Sequence, residues 1–138
     1  MKKLLFAVVA FSVLISYASF AEPTHPNEIG LYTTPDGYGE TGTDVIGSYV
    51  DVFLVLTLPE NEDGPCGVGG FDCRLNFSSS TNIFKTGEVF NGESPVNLGD
   101  SFNLFENGFL EYNVGFSQIT PPINDAVLLI SLRFLNIN

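Results

Sequence analysis

Between residues 49 and 58 the even positions are Val50, Val52, Leu54, Leu56 and Leu58, and the odd ones include Tyr49, Asp51 and Thr57. A period of two is that of a β-strand, whose side chains alternate between its faces. Phe53 and Val55 interrupt the polar set, so the second face is expected to be partly covered. Phe71, Cys73, Leu75 and Phe77 alternate cleanly with Asp72, Arg74 and Asn76. That predicts a half-buried strand with a polar outer face. Leu110, Tyr112, Val114 and Phe116 alternate with Glu111, Asn113 and Gly115. Ala126, Leu128, Ile130, Leu132 and Phe134 fall on one face of a last run, with Ser131 and Arg133 on the other.

Weaker strands are expected over residues 29–33, 83–84, 88–90, 96–98 and 101–106. Turn chemistry separates the runs: Pro35-Asp36-Gly37, Asn91-Gly92, Asn107-Gly108 and Pro121-Pro122. Asn107-Gly108, between two strand-like runs, reads as a hairpin turn. The glycines of residues 66–70 precede a strand and read as a bulge or tight bend. Eight or nine short strands at this spacing predict an all-β fold, a two-sheet antiparallel β-sandwich, in one domain over residues 29–138.

Composition strengthens the strand reading. Ala126 is the sole alanine beyond residue 21, and Met1 is the sole methionine. Good helix formers are scarce, while phenylalanine and β-branched residues fill the runs. The chain ends at Asn138, shortly after an apolar strand. Either that strand is central, or the sequence is a fragment lacking final strands, and an uncovered apolar edge would invite pairing with another chain.

The first residues bear on compartment. Lys2 and Lys3 precede an uncharged apolar run over residues 4–15, and Ser19-Phe20-Ala21 ends in a small residue before Glu22. That is the layout of a secretory signal peptide, with cleavage after residue 21 and a flexible lead over residues 22–28. The apolar run is short for a bilayer span. Export to the periplasm, the cell surface or the medium of a bacterium is expected, with no membrane insertion after cleavage. Cleavage leaves Arg74, Lys85 and Arg133 as the strong bases against 16 acidic residues. Such a field repels nucleic acid, a polyanion. In an oxidising compartment Cys66 and Cys73 are expected to pair as a disulfide.

Catalytic constellations are not evident. The one histidine, His25, sits in the expected lead, a poor place for a positioned base. No zinc-protease helix or phosphate loop is present, and no motif singles out a carboxylate pair, so the chain is expected not to be an enzyme. Asp36, Glu40 and Asp44, with glycines between them, form an acidic loop of the kind that supplies oxygens to calcium; Glu60, Glu62 and Asp63 form a second. Calcium is therefore the one cofactor to consider. Tyr38 is the most loop-like tyrosine and a candidate for stacking on a sugar ring, whereas Tyr112 falls on an apolar face.

Residues 49–57, Gly70-Phe71-Asp72-Cys73-Arg74-Leu75-Asn76-Phe77, Gly87, and Leu128-Leu129-Ile130-Ser131-Leu132-Arg133-Phe134 together resemble the core strands of cohesin-type domains. The opening Ile29-Gly30-Leu31-Tyr32 and the run from Gly67 to Leu75 are also similar to exported bacterial proteins. The resemblance spans roughly residues 49–134. It implies a jelly-roll sandwich of the kind shared with carbohydrate-binding modules, which binds a small protein module or a polysaccharide through one sheet face. By that analogy Asp72, Arg74 and Asn76 face the partner. The alternative is a structural or surface-assembly subunit of the cell envelope.

Overall fold

The computed structural model describes residues 26–37, 47–77 and 82–137. The expected signal peptide and His25 lie outside these residues, as do Tyr38, Glu40 and Asp44. The regular structure of the described residues is almost all strand: β1 (Glu28–Tyr32), β2 (Tyr49–Thr57), β3 (Glu60–Asn61), β4 (Gly64–Pro65), β5 (Val68–Asn76), β6 (Ile83–Phe90), β7 (Val96–Asn97), β8 (Phe109–Thr120) and β9 (Ala126–Asn136), with one short helix, α1 (Leu104–Asn107).

Every pairing is antiparallel. One sheet has the order β1-β2-β9-β6 and the other β5-β8-β7, while β3 and β4 form a small hairpin apart. The two longest ladders are nested, β2 with β9 and β5 with β8. Rolling one long hairpin into two sheets produces that nesting, the connectivity of a jelly roll. The last apolar strand, β9, is central in its sheet.

Between the sheets lie Leu54, Leu110, Tyr112, Val114, Leu129, Ile130, Leu132 and Phe134, with Phe71, Leu75, Phe77 and Phe90 packed against them. Aromatic rings bridge the sheets: Phe77 meets Phe134 at 5.5 Å between centroids, and Phe90 meets Tyr112 edge-on at 6.2 Å.

Two bulges change what alternation alone predicts. In β9, Leu54 pairs with Ile130 but Val55 pairs with Leu128, so Leu129 is the extra residue. Leu129 and Ile130 therefore both point inward, and Ala126 and Leu128 turn to the outer face, opposite to the alternation expected for them. Asn91 staples this bulge, its backbone N–H donating to Leu129 O (2.9 Å) and its side chain to Leu128 O (3.0 Å). On that outer face Val55 and Thr57 are fully buried beneath the turn at Pro35-Asp36-Gly37. Gly37 takes a left-handed φ of 78° there. In β6, Lys85 pairs with Phe134 and Gly87 with Arg133, so Thr86 is extra and the two weak strands expected at 83–84 and 88–90 are one.

The expected strand over residues 101–106 is instead a turn and the start of α1. The Asp100 carboxylate accepts the backbone N–H of Phe102 (3.2 Å) and the side-chain amides of Asn103 (3.1 Å) and Asn107 (3.1 Å), and this local bonding outcompetes extension. Asn107-Gly108 is accordingly a helix end, with Gly108 left-handed at φ 72°, and not a hairpin turn.

The expected Cys66–Cys73 disulfide is not formed; both thiols are free. Cys66 precedes β5, its N–H bonded to Pro59 O (2.8 Å), while Cys73 lies well inside the strand. Extended chain from Val68 carries Cys73 roughly 15 Å from the strand's start, whereas a disulfide needs Cα atoms within about 7 Å. The glycine cluster does form the expected bulge, a register shift between Val68 and Gly70.

Candidate functional site

Asp72, Arg74 and Asn76 stand on the outer face of the three-stranded sheet, all exposed, because β5 turns its odd residues to the core. Register brings β8 beside them: Asp72 faces Asn113, Arg74 faces Glu111, and Asn76 faces Phe109. Arg74 donates to Glu111 Oε1 at 2.8 Å, and its guanidinium carbon lies 4.4 Å from the Phe109 ring centroid. The Asn113 amide donates to Asp72 Oδ2 (3.2 Å), and the Asn113 N–H donates to Asn97 Oδ1 (3.0 Å). At the far side of the sheet Val96 and Leu98 are exposed, Leu98 at 81%. The face thus presents both charge signs, amides, one aromatic ring and flanking apolar surface. The sequence predicted the β5 half; the β8 half depends on register, which alternation leaves open.

The outer face of the four-stranded sheet is different. Arg133 grips Asp51 with two bonds, Nε to Oδ1 at 2.7 Å and an outer nitrogen to Oδ2 at 2.8 Å. The bond from Arg133 holds the Asp51 carboxyl below the usual carboxylate range. The groove beside this pair encloses about 400 Å³ between β2, β6 and β9. The lower part of the same face is closed by the Gly37 turn.

A third cluster is internal, and hydrophobic alternation does not signal it. Lys85, Glu88, Tyr112 and Ser101 meet at the edge of the core. The Glu88 carboxylate accepts from Lys85 Nζ, from the Tyr112 hydroxyl (2.8 Å) and from Ser101 Oγ (3.2 Å). Burial, then the Glu88 bond, pushes the Tyr112 hydroxyl far above its ordinary value, so it stays a donor. Burial, then the Asp72 charge, raises the Cys73 thiol to about 11. Neither group is prepared as a nucleophile, because each is held in its neutral form.

Of the expected calcium loop, Asp36 is described, and its carboxylate accepts from Thr34 Oγ1 (2.6 Å). Glu60, Glu62 and Asp63 lie exposed on and beside the β3–β4 hairpin. Among the described residues no three histidine, cysteine or acidic side chains converge as metal ligands, and no helix is long and apolar enough to cross a membrane. No family model, curated protein or solved structure matches the chain.

Proposed function

We propose that this chain is an exported, non-catalytic binding module that recognises a protein module or a polysaccharide through the outer face of its three-stranded sheet. One observation carries the choice of face. Arg74 is fixed between Glu111 and the Phe109 ring, beside the Asp72–Asn113 pair. A polar group already held in place loses little freedom on binding. Arginine and aromatic residues are also the types that carry binding energy at interfaces. The cohesin-like resemblance points to the same strand. The opposite outer face is a poorer choice, since the Gly37 turn covers part of it.

The test uses residues 22–138, immobilised, against exported proteins of the source cell and a polysaccharide panel. The comparison protein carries Asp72→Ala, Arg74→Ala and Asn76→Ala together. Retention by the wild type and loss by the variant is expected in one of the two arms. Equal retention by both proteins, or none by the wild type in either arm, contradicts the proposal.

A further inference from the structure

The β5 edge has unmet bonding capacity whose pattern is readable. The Phe77 N–H donates to Gly108 O (3.0 Å), so the odd residues of this strand turn their backbone polar groups toward β8. On β8, Leu98 N–H to Asn113 O (2.9 Å) and Glu111 N–H to Asp100 O (2.8 Å) commit the odd residues to the β7 side. The even ones, Leu110, Tyr112 and Val114, are left for Leu75, Cys73 and Phe71, their register partners. Backbone N–H and C=O alternate sides along a strand. Those of Gly70, Asp72, Arg74 and Asn76 therefore point away from the sheet, where no strand pairs with β5 among the described residues.

The space beside this edge has a roof. Tyr112 of β8 reaches Glu88 and Phe90 of β6, and Phe77, just past β5, reaches Phe134 of β9. β8 therefore lies under β6 and β5 under β9, so among the described residues no strand lies beneath β2 or β1, and Val52 and Leu31 line an apolar space beside Leu75 and Phe77. The β1 residues on that inner side are Ile29 and Leu31, register partners of Leu56 and Leu54. They remain 38% and 37% exposed. Unpaired backbone at two-residue spacing below uncovered apolar side chains is the shape of one missing strand.

We propose that the β5 edge accepts an extended segment of another polypeptide as an added antiparallel strand, with alternate apolar side chains beneath Val52 and Leu31 and charged ones opposite Asp72 and Arg74. The bond-forming positions carry opposite charges two residues apart, so the incoming strand needs a base opposite Asp72 and an acid opposite Arg74. The β5 sequence itself meets this pattern. Antiparallel and centred on Cys73, it sets Arg74 against Asp72 and Leu75 against Phe71. A folded second copy is excluded as the occupant, because its own β1 would fill the same space. The edge acts through backbone, independently of whether the outer face binds by its side chains.

The probe is a synthetic peptide of residues 68–77 carrying Cys73→Ser, titrated into the 22–138 protein. Amide exchange by NMR reads the edge directly. In the free protein Asp72, Arg74 and Asn76 are expected to exchange fast and Phe71, Cys73 and Leu75 slowly. Saturating peptide should slow the first set by at least about tenfold and leave the second unchanged. Asn76→Pro removes one outward N–H while sparing the β8 ladder, and should weaken binding by about tenfold or more. Asp72→Arg should weaken it as well, and a peptide with the facing arginine changed to glutamate should restore it. Alanine at Asp72 and Arg74 together should reduce peptide binding less than Asn76→Pro, whereas binding by the outer face alone gives the reverse order. Absence of saturation, slow exchange at the edge before peptide is added, equal binding by Asn76→Pro, or dimerisation of the free protein through β5 would each overturn the proposal.

Discussion

Lys85 and Glu88 are three residues apart on one strand, yet their side chains meet inside the sandwich. On a regular strand they would point to opposite faces. The extra residue Thr86 shifts the parity of β6, so Ile83 and Lys85 face inward before it, and Glu88 and Phe90 after it. Two charges on the inner face are tolerable because Glu88 is satisfied by three donors and no buried side-chain polar atom among the described residues lacks a partner.

Breaking this cluster from the acidic side should be costly. Glu88→Ala leaves Lys85 and the Tyr112 hydroxyl without their acceptor. The expected loss is about 3 kcal/mol, against about 1 kcal/mol for Tyr112→Phe, which removes one donor and strands no charge. Urea unfolding of the three proteins measures both values. Equal, small losses would mean that the cluster is solvated.

Both cysteines should react as free thiols. Protein isolated from an oxidising compartment and unfolded in denaturant should titrate as two thiols per chain, matching the two cysteines of the sequence. A titre near zero would show that β5 had been distorted to bring Cys66 and Cys73 together.

Cys73 should respond to alkali in a defined direction. Its folded value, about 11, lies above that of an unfolded thiol. Folding therefore favours the neutral form. The stability this lends is full below the unfolded pKa and is lost as pH rises through the folded one. Between about pH 9 and the folded value the wild type should lose stability faster than Cys73→Ser. Denaturant midpoints at several pH values read the difference, and parallel curves would contradict it.

Gly70 is required for close approach of β5 and β8. A Cβ there would stand 2.5 Å from Val114 O and 3.2 Å from Gly115 Cα, both rigid backbone. Gly70→Ala should cost about 1–3 kcal/mol, as overpacking does. Gly69→Ala is the control, since nothing lies within 4 Å of its added carbon. Thermal melts of the pair compare them.

The β class and the long strands were legible because alternation is a local property. Val50, Val52 and Leu54 declare their common face without reference to any neighbour. Bulges are not local in this sense. Nothing in the run Leu128-Leu129-Ile130 marks Leu129 as the extra residue, and the staple that holds it comes from Asn91, far away in sequence. Gly87 was the nearest signal for the β6 bulge, and without that bulge Lys85 and Glu88 read as ordinary surface charges. The disulfide expectation rested on compartment and on there being two cysteines, and neither registers the extended strand that carries Cys73 away from Cys66. The turn into α1 was missed because Asp100 and its asparagines act through side-chain bonds that a hydrophobic pattern does not register. For the candidate site, the exposure of Asp72, Arg74 and Asn76 was legible, whereas Phe109, Glu111 and Asn113 joined them only through register.

The most direct measurement places a photoreactive benzophenone side chain at Asn76, or at exposed Tyr49 on the opposite outer face, in protein exported by its own source cell. Irradiation should give a discrete covalent adduct, to protein or to glycan, from position 76 and none from position 49. An adduct from position 49 alone, or from neither, would contradict recognition through the three-stranded sheet.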